Sequence, residues 1–261
     1  MCTAYGTCFT QLGMVDATTV SPYQQTDEPL ANRIDMERAR SEIALHDEAT
    51  GQTVYGIDAI IAIVAHRRPW LRRLLTSAPL YFLLRKLYRF VSCNRKVIYP
   101  SAARPSLRDC TPPTHAPYRW LYILLVALGT SLVLNRYAYL IYTAWELPYD
   151  PWREYYLCFG QIAWQGVAIG WLDRKKALAY LGNMSTVSLM GAMLLLPMLL
   201  IATFVTVSPW LMLAYFALVV GMMLLEHLRR CRLLGLTAGM TVSWVAFRMV
   251  ALGVILTVLF L

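Results

Sequence analysis

Long runs of apolar residues dominate the second half of the chain. Within these runs, polar residues do not recur at every second or every fourth position. A soluble helix or strand needs such a polar face, whereas a helix that crosses a bilayer needs about 20 mostly apolar residues. The pattern therefore predicts an all-α transmembrane bundle of about five helices. Their approximate ranges are Tyr118–Thr143, Tyr155–Leu172, Leu181–Val205, Trp210–Leu225 and Leu236–Leu261. Pro197 lies inside the third range and predicts a kink there rather than a break.

The first half of the chain shows shorter patterns that are typical of a small α+β domain. Glu42–His46 and Thr53–Gly56 are strand-like, and turn-forming residues separate them at Asp47–Gln52. This arrangement predicts a β-hairpin. Apolar residues at helical spacing over Ile57–Ala65 predict a helix directly after it.

A basic stretch follows this helix. From residue 59 to residue 100 the chain holds nine Lys or Arg and no Asp or Glu. Pro69 and Pro79 divide the stretch into two predicted helices, Trp70–Thr76 and Leu80–Val91, in which basic and apolar residues alternate. Next to transmembrane segments this mixture favours attraction to anionic lipid headgroups over nucleic-acid binding, which no motif supports. The predicted membrane-surface residues are Arg67, Arg68, Arg72, Arg73, Arg85, Lys86 and Arg89.

Charge also predicts the orientation in the membrane. Residues 1–117 carry 14 Lys or Arg and 10 Asp or Glu, whereas residues 118–261 carry 10 and 5. The segment before the first predicted span is basic, and so are the loops that contain Arg174–Lys176 and Arg229–Arg232. These three places fall on one side if all five ranges cross the bilayer. Because basic loops stay inside, we expect a cytoplasmic N-terminal domain and an external C-terminus.

Two arginines lie within the predicted spans, Arg136 in the outer part of the first and Arg248 near the middle of the fifth. A charge at that depth costs about 2.5–3.5 kcal/mol on insertion scales, so each side chain is expected to face the bundle or water. One interpretation is a polar cavity for an ion, a lipid headgroup or a substrate. The other is a side chain that snorkels to the interface or pairs with a neighbouring helix.

The cysteines and histidines predict no metal site, no disulfide framework and no cofactor. Six cysteines are spread along the chain without a complete CxxC, and the four histidines are far apart in sequence. Each histidine is therefore expected to lie on the surface or in a loop. Cys8 follows Cys2 by six residues, too far round a helix for a disulfide, and is expected to be a buried helix residue.

Three segments of the first half, taken in order, resemble the DCC family (DUF393) of thioredoxin-like thiol-disulfide oxidoreductases. They are Arg38–Leu45, Gly51–Ile60 and Leu87–Lys96, which include a Tyr-Gly-x-x-Ala and an Asn-Arg-Lys piece. The resemblance runs to about Pro100 and leaves out the transmembrane half. It implies thiol-disulfide exchange with a protein partner on the cytosolic face.

The resemblance places Cys2 at the second, resolving cysteine of the family motif Asp-x-x-Cys-Pro-x-Cys. The first strand, the Asp, the first Cys and the Pro of that motif have no counterpart in this sequence. We therefore expect an incomplete thioredoxin-like domain over residues 1–100, a linker over 101–117 and a transmembrane helical domain over 118–261. Cys2 is the one candidate catalytic residue.

Two further interpretations of the function stay open. The first is a non-enzymatic membrane protein of several spans with a degenerate adaptor domain. The second is a small transporter or lipid-handling protein that uses the polar residues around Arg248.

Overall fold

The computed structural model describes residues 2–100 and 114–260, and the side chains of residues 6–100 and 114–257. The chain divides into two compact units, Met1–Tyr118 and Arg119–Leu261. Most of the predicted linker and the side chain of Cys2 lie outside the described residues.

The first unit contains six α-helices and one antiparallel sheet in its described part. The sheet pairs β1 (Ala44–His46) with β2 (Thr53–Tyr55), so that Leu45 lies opposite Val54, as the predicted hairpin requires. The helices are α1 (Cys2–Gln11), α2 (Glu28–Ala31), α3 (Met36–Ala39), α4 (Ile57–Arg67), α5 (Pro69–Leu75) and α6 (Ala78–Ile98). Two strands do not make a thioredoxin-like domain, and that part of the predicted fold class stays a prediction.

Gly56 connects the hairpin to α4 with a φ of 64°, which glycine adopts without strain. A Cβ at this position would approach the ring of Tyr88 to 3.2 Å. Tyr88 lies on α6, and its hydroxyl accepts a hydrogen bond of 3.1 Å from the backbone N–H of Ile43. The tight turn at Gly56 thus lets α6 pack against the segment that leads into β1.

The expected burial of Cys8 is wrong, because its side chain is exposed. The buried side of α1 is marked by Gly6, whose missing side chain leaves room for Val20. Two residues further along a helix the direction has rotated by about 200°. Cys8 therefore points away from the side of α1 that packs.

The second unit is a bundle of five helices, which are α7 (Ala116–Ala144), α8 (Arg153–Leu172), α9 (Ala177–Ile201), α10 (Pro209–Leu233) and α11 (Gly239–Phe260). In the described part of the chain, four stretches are long and apolar enough to cross a membrane: Ala116–Ala144, Arg174–Ile201, Pro209–Leu233 and Gly239–Thr257. They correspond to four of the five predicted spans. Helix α9 continues through Pro197, so the proline does not break it, and the kink stays a prediction.

Helix α8 corresponds to the remaining predicted span and is not among these four. It has 20 residues, which gives a length of about 30 Å. Its buried residues are Glu154, Gln161, Gln165 and Ile169, whereas large apolar side chains such as Val167 and Trp171 are exposed. The helix is therefore polar toward the bundle and apolar toward the outside, which lowers its mean hydropathy without giving it a polar outer face.

Candidate functional site: a cavity inside the helix bundle

A cavity of about 580 Å³ lies inside the second unit, and residues of all five helices α7–α11 line it. Its walls are mostly apolar side chains, such as Leu134 from α7, Leu195 from α9, Val219 from α10 and Ile255 from α11. A volume of this size is typical of pockets that hold a drug-sized or lipid-like molecule. What distinguishes the cavity is a small set of polar groups on these walls.

Arg248 on α11 is the first of these polar groups. Its guanidinium group lies 4.0 Å from the ring centroid of Trp244, one turn earlier on the same helix. The buried Nε atom has no hydrogen-bond partner among the described residues. No carboxylate of the described part of the chain forms a salt bridge with this arginine. The aromatic ring thus supports a cation whose hydrogen-bond donors are available to a ligand.

Two further buried donors face the same cavity. Thr130 on α7 is 4% exposed, and its hydroxyl group has no hydrogen-bond partner among the described residues. Gln161 on α8 is 7% exposed, and its amide nitrogen likewise has none there. An unsatisfied buried polar group costs about 1–3 kcal/mol. Their presence in one cavity indicates that a polar group of a ligand can complete their hydrogen bonds.

The charged groups of the cavity are unequal in number. Arg153 and Glu154 begin α8 and line the cavity as an ion pair, with Nε of the arginine 2.9 Å from the carboxylate. The same arginine stacks on Tyr142 at 4.3 Å. With Arg248 the cavity has two cations and one anion, a net charge of +1. The remaining cation makes the site complementary to a single negative charge.

A chain of buried hydrogen bonds lies beside Arg248. The hydroxyl of Tyr180 on α9 donates to Gln165 on α8 at 2.7 Å, and the same hydroxyl is 3.0 Å from Nε2 of His227 on α10. Because the hydroxyl proton is used for Gln165, Nε2 of the histidine must carry a proton and donate. In the neutral ring Nδ1 then accepts from the Thr241 hydroxyl on α11, at 3.2 Å. These bonds connect four helices of the bundle.

The expectation that every histidine lies on the surface or in a loop is wrong for His227, which is 1% exposed. Helix α10 continues to Leu233, whereas the predicted span ended at Leu225. The two extra turns place the imidazole between Tyr180 and Trp244. The Trp244 ring stacks on the imidazole, with the two ring centroids 5.3 Å apart. Trp244 therefore contacts the histidine as well as Arg248.

Arg230 forms a second buried polar group that the sequence did not indicate. Its Nε lies 2.7 Å from Glu226 one turn earlier, and its Nη1 donates to Asn183 on α9 at 3.0 Å. Only 4% of its side chain is exposed. The predicted loop placed this arginine in water, whereas its hydrogen bonds show that it joins α10 to α9.

The structure separates the two predicted intramembrane arginines. Arg136 is exposed on α7 and stacks on Tyr139 at 5.3 Å, so it does not line the cavity. Arg248 does line it. Of the candidate catalytic residue Cys2, only the backbone is described, at the first position of α1.

The predicted basic residues lie in the first unit. Arg67 donates to the carbonyl group of Gly13, while the others are exposed on or beside α5 and α6. Comparison with known protein families, with curated proteins and with solved structures finds no match.

Proposed function

We propose that the chain is an integral membrane protein whose second unit binds an amphipathic anion inside the helix bundle. The ligand class is a single-chain lipid with a carboxylate or phosphate headgroup. The biological role that fits such a site is that of a small transporter or lipid-handling protein. The observation that carries the proposal is Arg248, a partly buried cation without an anionic partner in the described part of the chain, on the wall of a mostly apolar cavity.

The proposal takes all five helices α7–α11 as membrane-crossing. The support for α8 is its inverted arrangement, in which Gln161 and Gln165 are buried and Val167 and Trp171 are exposed. A helix on the surface of a water-soluble protein has the opposite arrangement, with its apolar residues buried and its polar residues exposed. With five crossings, the basic residues at Arg174–Lys176 and at Arg229–Arg232 fall on the same side as the first unit, which the positive-inside rule places in the cytoplasm.

Each part of the cavity has a counterpart in such a ligand. The apolar walls accept an acyl chain, because burying it away from water contributes about 0.8 kcal/mol for each methylene group. Arg248 provides charge-assisted hydrogen bonds to the headgroup, which are stronger than neutral ones. Thr130 and Gln161 donate to its remaining oxygens. A neutral lipid would leave the net positive charge of the cavity without compensation.

Ligand binding to the full chain in lipid nanodiscs tests the proposal. The probes are a radiolabelled long-chain fatty acid, the alcohol of the same chain length and a lysophosphatidate. We expect the two anions to bind and the alcohol to bind at least tenfold more weakly, and the stronger anion identifies the headgroup. Because a charge-assisted hydrogen bond contributes about 1.5–3 kcal/mol, Arg248→Gln is expected to weaken anion binding about 10- to 100-fold.

Arg136→Gln is the matched control, since it removes a cation from the same bundle but outside the cavity. It should leave the affinity unchanged. Equal affinity for the acid and the alcohol would overturn the proposal. So would an Arg248→Gln variant that binds the anions as tightly as the unchanged chain.

Thiol-disulfide exchange by the first unit is the second candidate function. The observation in its favour is that α1, a helix of 10 residues, begins at Cys2. In general, a thiolate in the first turn of a helix is stabilised by the positive end of the helix dipole. The reaction would need a second thiol from a protein partner, because Cys2 corresponds to the resolving cysteine in the resemblance.

A further inference from the structure

The exposed surface of α5 and α6 is amphipathic in an unusual way, because both its basic and its apolar residues face outward. Trp70 is 66% exposed, Phe82 63%, Leu83 61% and Leu87 53%. The exposed basic residues between them are Arg72, Arg73, Arg85, Lys86 and Arg89. We call these nine residues the basic–apolar face. None of its five cations forms a salt bridge with a described residue.

The opposite side of α6 explains why these residues are outside. Tyr88, Ser92 and Arg95 follow one another at helical spacing, and all three bond to the backbone of residues 40–43. Arg95 donates to the carbonyl of Arg40 at 2.8 Å, and Ser92 donates to that of Ser41 at 2.8 Å. This attachment fixes the rotation of the helix. Residues on the other side, such as Phe82, Leu83 and Lys86, cannot reach the core of the first unit.

The order of residues around α6 gives the face a direction. At 100° per residue, Arg85 and Arg89 lie at one edge, Phe82 and Lys86 follow, and Leu83 and Leu87 lie at the other edge. Lys86 extends over the ring of Phe82, with its ammonium group 5.4 Å from the ring centroid. A basic border beside an apolar strip is the arrangement of a helix that lies in a membrane interface.

We infer that the basic–apolar face binds the surface of an anionic bilayer. Leu83, Leu87 and Phe82 enter the boundary between headgroups and acyl chains, and the arginines and lysine contact lipid phosphates and carboxylates. Charge identifies the partner, since residues 59–100 contain nine basic and no acidic residues. Binding to nucleic acid would not require the exposed apolar residues, whereas binding to a bilayer uses them. This inference is independent of the ligand proposed for the cavity.

The test uses the full chain reconstituted in vesicles, with an environment-sensitive fluorophore on a single cysteine introduced by Leu83→Cys. The native cysteines are replaced by alanine. Lipids that carry a nitroxide quencher near the headgroup report whether the fluorophore lies in the interface. We expect strong quenching in mixtures of phosphatidylcholine and phosphatidylserine and weak quenching in phosphatidylcholine alone. High salt should reduce it, because the attraction is screened.

Two variants make the test specific. Neutralising Arg85→Gln, Lys86→Gln and Arg89→Gln together is expected to lower the docking equilibrium on the order of 100-fold, since each basic residue contributes about fivefold near an anionic surface. A fluorophore at Gln52→Cys, exposed beside the hairpin turn, should not be quenched in either lipid.

Absence of quenching at position 83 in anionic vesicles would overturn the inference. Equal quenching with and without phosphatidylserine would overturn it too. If the fluorophore responds to an RNA oligonucleotide and not to anionic lipid, the partner is nucleic acid instead.

Discussion

Tyr180 on α9 and His227 on α10 share a hydrogen bond of 3.0 Å in which the histidine nitrogen is the donor. The tyrosine proton is already given to Gln165 on α8, so the phenol oxygen is the acceptor. Both side chains are almost fully buried. One hydroxyl group thus determines which nitrogen of the imidazole is protonated and joins three helices.

Tyr180→Phe is expected to lower the free energy of unfolding by about 1–3 kcal/mol, because it leaves the carbonyl oxygen of Gln165 without its partner and Nε2 of His227 with only a long contact to the sulfur of Cys231. The loss is measured by unfolding the reconstituted protein with increasing concentrations of a denaturing detergent. Tyr156→Phe, which removes an exposed hydroxyl group from α8, serves as the control and should change little. Equal stability of both variants would show that the buried hydrogen bonds contribute nothing net.

Arg230 and Arg248 are expected to respond in opposite ways to replacement by methionine. Arg230→Met leaves the side-chain oxygen of Asn183 and part of the Glu226 carboxylate unpaired, although Glu226 keeps its bond to Arg229, so we expect a loss of about 1–3 kcal/mol. Arg248→Met removes a partly buried charge that has no ionic partner in the described chain. It should raise the free energy of unfolding of the ligand-free protein by about 1 kcal/mol. This is the difference between the desolvation cost that is removed and the stacking on Trp244 that is lost.

Thermal unfolding of the two variants in the same lipid measures this difference. A clear destabilisation by Arg248→Met in the absence of ligand would mean that this arginine has a structural role instead.

The crossing of α8 can be decided with topology reporters. A reporter fused after Leu261 is expected to be active only when exported, and one inserted at Arg174–Lys176 should report the cytoplasm. The reason is that, with the first unit in the cytoplasm, two crossings precede Arg174–Lys176 and five precede Leu261. If α8 does not cross, both results are reversed: the reporter at Arg174–Lys176 is exported and the one after Leu261 reports the cytoplasm.

Alkylation rates test the thiol of Cys2. Cys8 lies on the same helix and is exposed, which makes it the matched control. We expect the rate of Cys2 to exceed that of Cys8 by about tenfold near neutral pH, because the N-terminal turn of a helix stabilises a thiolate. The half-buried Cys93 on α6 is the second comparison. If Cys2 reacts no faster than Cys8, it is not activated, and the adaptor interpretation of the first unit is favoured.

The sequence was sufficient where a signal is local. The turn residues Asp47–Gln52 predicted the hairpin, and Gly51 indeed has a φ of 68°. Depth in an apolar run identified Arg248 as unusual. By contrast, the charges from Glu226 to Arg230 suggested the end of a span, although Arg229 and Arg230 pair with Glu226 and the helix continues.

Contacts between distant parts of the chain could not be predicted. Tyr180 and His227 are 47 residues apart, and neither belongs to a motif. The same holds for Thr130 and Gln161, which are ordinary polar residues until α7 and α8 bring them to one cavity. The side of a helix that faces its neighbours determined the site, and composition alone does not show that side.

The inverted polarity of α8 has a consequence for how this protein is made. Gln165 of α8 bonds to Tyr180 on α9, and both Gln165 and Trp164 bond to Ser243 on α11. In a membrane, the polar groups of Gln165 and Trp164 cannot form hydrogen bonds with water. Helix α8 alone therefore inserts poorly. Its partner α11 leaves the ribosome after α9 and α10. Stable integration of α8 must therefore wait until α11 has been synthesised, and a ribosome-stalled chain that lacks α11 should leave α8 extractable.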